Sequence, residues 1–141
     1  MPIKKKNSFK PTFLSDHPKG LATLFFTELW ERFSYYGMRA ILVLYLVSKT
    51  NSENPGLGWT NTEALQLYGW YTALVYLFCV PGGIIADKYL TNQKAVLYGG
   101  GLLCLGHFSL AIQNMLFFYN GLILIILGVG LLKPSISTLV G

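Results

Sequence analysis

The stretch Thr27-Glu28-Leu29-Trp30-Glu31-Arg32-Phe33-Ser34-Tyr35-Tyr36-Gly37-Met38-Arg39-Ala40 holds four charged residues, yet it lies inside an apolar run from about Leu21 to Val47 that is long enough to cross a bilayer as a helix. Its polar residues Glu28, Glu31, Arg32, Tyr35, Tyr36 and Arg39 fall at offsets 0, 3, 4, 7, 8 and 11, which the helical period gathers onto one face. A charge at the bilayer centre costs about 2.5–3.5 kcal/mol on insertion scales, so such a stripe faces a bundle interior or a water-filled cavity. The stretch therefore predicts a transmembrane helix with partners on one side.

Three further runs of this kind follow, from about Glu63 to Ala86, from about Ala95 to Ile112, and from near Leu116 into the final residues. The link Ser48 to Thr62 is rich in Asn, Ser, Pro and Gly, and Thr60 stands three residues before Glu63, the spacing of a reciprocal helix cap. Shorter breaks fall at Asp87 to Lys94 and at Gln113-Asn114. The expected architecture is all-α and integral to the membrane: residues 1–20 form a cytoplasmic tail and residues 21–141 four transmembrane helices.

Composition agrees with lipid as solvent. The 141-residue chain is 52% hydrophobic and only 12% charged, with a mean hydropathy of +0.46, which leaves too little polar surface to wrap a soluble globule. The net charge of +5 does not point to nucleic acid, because most lysines sit in the tail before the first run and form no basic face interleaved with aromatics. Lys4, Lys5, Lys6, Lys10, Lys19, Lys88 and Lys94 flank one side of the spans and Lys49 the other, which puts the N-terminus and the Asp87 to Lys94 loop in the cytoplasm. The first run is too long for a signal-peptide core and lacks a small-residue cleavage site, so no cleaved leader is expected. A fourth span returns to the cytoplasmic side near Gly141, where the sequence stops without a tail, as a truncated chain would.

Within the stripe Glu28 stands four residues before Arg32, the favourable order for a helical ion pair, and Glu31 is adjacent. One guanidinium cannot satisfy two carboxylates equally, so one acid pairs and the other is left as a place for a proton. A structural ion-pair cluster that holds helices together is the plainer reading. Tyr35 and Tyr36 supply amphipathic surface for a polar ligand, and Arg32 a bidentate grip for a carboxylate. Lys133, beside Pro134, is a second buried cation; snorkelling to the nearby interface is its plainer reading.

Gly99, Gly100, Gly101 and Gly106 are expected to permit close helix packing, since no Gly-Lys-Ser/Thr follows them. His107, alone on an apolar helix, reads as a hydrogen-bonded core histidine, and Cys79 and Cys104 as small buried hydrophobes. Tyr68 and Tyr71 share a helix face and serve packing or a ligand equally well. An acid-base enzyme built on Glu28 and Glu31 would need a nucleophile-base pair or a metal cluster that the sequence does not offer, so no enzyme is expected.

The stretch from Thr27 to Ala40 resembles the ExxER-F-x-Y-Y-G-M-R segment of the proton-dependent oligopeptide transporter family, a branch of the major facilitator superfamily. His17-Pro18-Lys19-Gly20 is similar to that family's lead-in, Val75-Tyr76-Leu77 and Pro81-Gly82-Gly83-Ile84-Ile85-Ala86-Asp87-Lys88 to the end of its second helix and its cytoplasmic-loop motif, and Gly130-Leu131-Leu132-Lys133-Pro134 with Ser137 and Gly141 to its fourth-helix signature. The resemblance is collinear from His17 onward; Thr91, Gln93, Leu132 and Ser135 depart from the residues common in the family.

What the resemblance implies is the first four helices of a six-helix N-terminal bundle in a facilitator fold, working as a di- and tripeptide:proton symporter in the cytoplasmic membrane. It implies that Glu28, Glu31 and Arg32 couple protonation to binding and that Arg32 and Lys133 grip the peptide carboxylate. Tyr35, Tyr36 and Tyr76 would line the peptide site. Arg39 would pair with the other half of the transporter, and Asp87 with Lys88 would brace a gating loop. The implied partners are peptide, protons, the lipid bilayer and the remaining helices, one of which holds the peptide's amino end; no cofactor beyond the proton is implied. A non-transporting truncated scaffold and a facilitator of a different small substrate are the alternative readings.

Overall fold

The computed structural model describes residues 19–140. They form four helices: α1 (Lys19–Val47), α2 (Asn61–Tyr89), α3 (Asn92–Leu110) and α4 (Met115–Val140). At about 1.5 Å per residue, even the 19 residues of α3 nearly match the roughly 30 Å hydrocarbon core. On length and composition α2 and α4 are apolar enough to cross a membrane, with windows of mean hydropathy 1.5 and 2.3. The charged stripe lowers the hydropathy of α1, and α3 is the shortest of the four. The tail, the lead-in residues His17 and Pro18, and Gly141 lie outside the described residues.

Helix ends follow local chemistry. Thr60 and Glu63 make the expected reciprocal cap: the Glu63 N–H donates to Thr60 Oγ1 at 3.3 Å and the Thr60 N–H to Glu63 Oε2 at 3.0 Å. This starts α2 at Asn61, two residues before the expected boundary. The loop before it folds back onto α1, where Leu57, Gly58 and Trp59 donate their N–H groups to the carbonyls of Tyr45, Ser48 and Leu46, partners that the end of a helix otherwise lacks. Gly58 takes a φ of 66° in this turn, a conformation that a side chain would strain.

Close approaches fix the directions of the helices. Gly82 of α2 faces Gly130 of α4, and Gly83 faces Pro134, so α2 and α4 run parallel. Gly99 faces Gly128 while Gly106 faces Gly121, so α3 and α4 run antiparallel. The ring of Tyr45 meets that of Phe118, and Tyr35 meets Lys133, so α1 is also antiparallel to α4. An up-down bundle results, with α4 as its central member: Gly121, Leu122, Ile125, Ile126, Val129 and Leu132 are buried.

Pro134 explains the tightest crossing. It has no N–H for the carbonyl of Gly130, four residues back, and the Gly82 Cα hydrogen that a side chain would replace points at that oxygen. Gly99 and Gly106, seven residues apart, lie buried against α4 as expected, whereas Gly100 and Gly101 touch nothing within 4 Å at the Cβ position. The helical period turns those two away from α4, so their expected packing role does not hold among the described residues. Cys104 is likewise exposed rather than buried, and Cys79 is half-buried with its thiol donating to the Val75 carbonyl at 3.3 Å.

Candidate functional site

The first helix buries part of its polar stripe. Glu31, Tyr35, Leu42 and Leu46 are its buried residues, and their spacing follows the helical period. Glu28 and Arg32 lie at the margin and hold each other: Arg32 Nη2 and Nε donate to Glu28 Oε1 at 2.6 and 3.0 Å. Their side chains are 41% and 55% exposed, which marks a pair of small energetic worth. It is the one ion pair among the described residues. Glu31 is 6% exposed, and its Oε1 has no hydrogen-bond partner. The two acids thus separate into a paired one and a buried, unpartnered one.

Glu28, Glu31 and Arg32 share a pocket of about 520 Å³ with Leu132, Lys133, Ile136, Ser137 and Val140 of α4. The Lys133 ammonium sits 5.2 Å from the ring centroid of Tyr35 and 5.2 Å from that of Tyr76 on α2. Aromatic faces attract a cation without neutralising it. The Lys133 ammonium thus sits half-buried on a tyrosine platform beside a buried acid, with no ion-pair partner among the described residues.

The other face of the cluster is built around Arg39. Its guanidinium carbon lies 5.3 Å from the Tyr35 ring, 5.9 Å from Tyr36 and 4.8 Å from Tyr68, and its Nη2 donates to the Tyr68 hydroxyl. Its Nε has no partner. Tyr35 consequently stands between two cations, Lys133 and Arg39, with its ring 6.5 Å from that of Tyr71 and its hydroxyl unpartnered.

The structure thus brings together Glu28, Glu31, Arg32, Tyr35, Tyr76 and Lys133, with Tyr36 and Arg39 one turn further along α1. Asp87 and Lys88 stand apart, exposed at the far end of α2. Sequence reasoning missed Tyr68 as the partner of Arg39. The signal was its position three residues before Tyr71 on one face of α2, which left packing and ligand roles equally open. It also missed the hydrogen bond between Ser34 and His107, at 3.1 Å, that ties α1 to α3.

No protein-family model matches the chain. Over 136 residues it is 48% identical to a di-/tripeptide transporter of Lactococcus lactis subsp. lactis (strain IL1403), an alignment covering 96% of this chain and 27% of the relative. It superposes on a crystal structure of a mutant of peptide transporter POT in complex with alafosfalin with a TM-score of 0.86 at 48% identity, over 92% of this chain and 27% of that one. A POT family transporter in complex with 5-aminolevulinic acid gives a TM-score of 0.86 at 42% identity, over 91% of this chain and 26% of that one.

The chain is similar to POT-family peptide transporters over nearly its whole length. It is a membrane protein, and it spans about a quarter of the length of the curated relatives it matches. In this chain the buried acid, the platform-bound lysine and the tyrosines all project from α1, α2 and α4, the helices whose directions the glycine and aromatic contacts fix.

Proposed function

We propose that the protein to which this chain belongs is a proton-coupled symporter of di- and tripeptides in the cytoplasmic membrane. The observation that carries the reading is Lys133, an unneutralised cation resting on Tyr35 and Tyr76 in the same pocket wall as the buried Glu31. A cation held in this way suits a peptide carboxylate, and rings that offer both apolar faces and hydroxyls suit variable side chains. The name of the Lactococcus relative, a di-/tripeptide transporter, supports the substrate class.

Coupling follows from charge balance. Ionised Glu31 offsets the charge of Lys133 and competes with an incoming carboxylate. Once Glu31 takes a proton, Lys133 and Arg32 need another anion, and the peptide supplies it. Proton and peptide thus favour each other's binding, and by linkage the effect is reciprocal. Arg32 joins only by leaving Glu28, and Arg39 on its tyrosine cage is positioned to engage the rest of the transporter as the two halves rock about the site. The proton is the coupling ion, and the mechanism calls on no further cofactor and on no chemical turnover. Lys88 and Lys94, beside the α2–α3 link, and the lysines before α1 support a cytoplasmic N-terminus.

The test is uptake of a radiolabelled dipeptide by the full-length protein in proteoliposomes under an inward proton gradient. Accumulation that collapses when the gradient is dissipated is expected, and absence of peptide uptake would overturn the reading. The neighbour bound to 5-aminolevulinic acid favours a second reading, in which small amino-carboxylates are substrates. Competition by such compounds against the labelled dipeptide distinguishes a shared site from a separate specificity.

A further inference from the structure

One part-buried polar link has no part in that reading: the contact between Ser34 Oγ on α1 and His107 Nε2 on α3, at 3.1 Å. The other ring nitrogen fixes its direction. His107 Nδ1 lies 2.7 Å from the Leu103 carbonyl oxygen, which can only accept, so Nδ1 carries a hydrogen in both charge states of the ring. In the neutral ring Nε2 is therefore an acceptor, and the Ser34 hydroxyl donates to it. Thr27, Ser48, Thr72, Ser109, Ser135 and Thr138 each donate to the carbonyl four residues back, the bond that a helix always offers. Ser34 crosses to another helix instead.

The bond borders a pocket of about 450 Å³ between α1 and α3, lined by Glu31, Ser34, Cys104 and His107 and walled by apolar residues including Trp30 and Phe108. Glu31 precedes Ser34 by three residues and so shares its face. Glu31 lines this pocket, and its Oε1 is buried without a hydrogen-bond partner. The titratable groups around His107 are Glu31 and Tyr45 of α1 and Cys104 of α3 itself; α4 contributes only Leu132 and Phe118, and α2 nothing. Glu31 thus stands between two pockets of opposite character, one holding Arg32 and Lys133 and the other holding His107.

We propose that His107 is a second proton-binding site coupled to Glu31 across this pocket, so that one proton is shared between them. The inference rests on the proton-symport reading and deepens it. In the transfer the O–H bond of protonated Glu31 breaks and an N–H bond forms at His107 Nε2, through one water and the Ser34 hydroxyl that already donates to Nε2, each giving a proton as it receives one. The pocket has room for such a water, whose share of liquid volume is about 30 Å³. The Ser34 oxygen then accepts from the new N–H, its own hydrogen now the one received from the water. Glu31, now a carboxylate, is left facing Lys133 and Arg32. Proton count and charge are conserved, and the proton is kept on the α3 side while the cations are occupied by Glu31.

The full-length protein provides the test. His107→Gln is expected to lower gradient-driven dipeptide accumulation by about tenfold or more, as loss of a proton-transfer group does, while exchange of labelled for unlabelled dipeptide at equal pH stays near wild type. Equal loss of accumulation and exchange means a packing role and overturns the proposal. Nitrogen NMR of the imidazole ring supplies a readout independent of peptide. Glu31→Gln should displace the pH at which the Nε2 signal changes by about one unit, the mark of interacting sites; an unmoved curve in the folded variant overturns the proposal. If the wild type transports no peptide, the symport reading falls, and the ring titration still decides the coupling. Should His107→Gln not fold, Ser34→Ala is carried through the same two assays.

Discussion

Replacing Lys133 with glutamine separates its role in the site from its role in the bundle. In the absence of peptide the ammonium touches the rings of Tyr35 and Tyr76, each 5.2 Å away, and makes no ion pair among the described residues. Each cation–π contact contributes about 0.5–2 kcal/mol, and removing a half-buried charge returns a desolvation cost of the opposite sign, so the net change in stability should be about 1 kcal/mol or less. In the proposed complex the variant would lose a charge-assisted hydrogen bond to the peptide carboxylate, about 1.5–3 kcal/mol, which is about 10- to 150-fold in Kd. Arg32 differs because Glu28 already holds it at 2.6 and 3.0 Å. A peptide must displace that pair, so Arg32→Gln should cost less, on the order of 0.5–1 kcal/mol. The assay is competition against uptake of a labelled dipeptide by free dipeptides and by their C-terminal amides. Lys133→Gln should weaken the free acids and leave the amides nearly untouched. Equal loss for acid and amide, or a larger acid-selective loss in Arg32→Gln, would refute the assignment of Lys133 as the principal carboxylate site.

Glu31→Gln, which fixes the neutral state of the buried acid, should abolish gradient-driven accumulation and leave counterflow of peptide partly intact; uphill accumulation by this variant would remove Glu31 from the coupling. Tyr68→Phe keeps the ring under Arg39 but deletes the hydroxyl that accepts from it, and thermal unfolding in detergent should show a loss of about 1.5–3 kcal/mol. No loss would mean that the tyrosine ring alone satisfies the guanidinium. A Cβ at Gly82 would overlap the Gly130 carbonyl, backbone against backbone, so Gly82→Ala should destabilise by about 1–3 kcal/mol. Gly69→Ala, with nothing within 4 Å, should stabilise by about 0.5–1 kcal/mol. The opposite order of these two variants in the same unfolding assay would contradict the α2–α4 crossing.

Features set within one helix were legible in the sequence, and features set between helices were not. The cap at Thr60 and Glu63 and the charged stripe of α1 need only local spacing, and both appear where the spacing puts them. The division of labour between Glu28 and Glu31 was half legible: one guanidinium implied one paired acid, and the i,i+4 order favoured Glu28, as the structure shows. The glycines of α3 were read as a group although the helical period separates them. Gly99 and Gly106 fall on one face and meet α4, while Gly100 and Gly101 turn away.

Tyr68 and His107 were beyond such reading because their partners, Arg39 and Ser34, lie on other helices 29 and 73 residues away in the chain. No periodicity along one helix encodes which residue of another will meet it. The consequence is greatest for α1. Its anchors include Arg39 to Tyr68 on α2, Ser34 to His107 on α3, and Tyr35 to Lys133 on α4. Each of these contacts depends on a charge or a proton, whereas α4 is anchored by close-packed glycines and aliphatic side chains. In the proposed symport a proton or a carboxylate arriving at the site would therefore act directly on these contacts of α1, and far less on the packing that holds α2, α3 and α4 together.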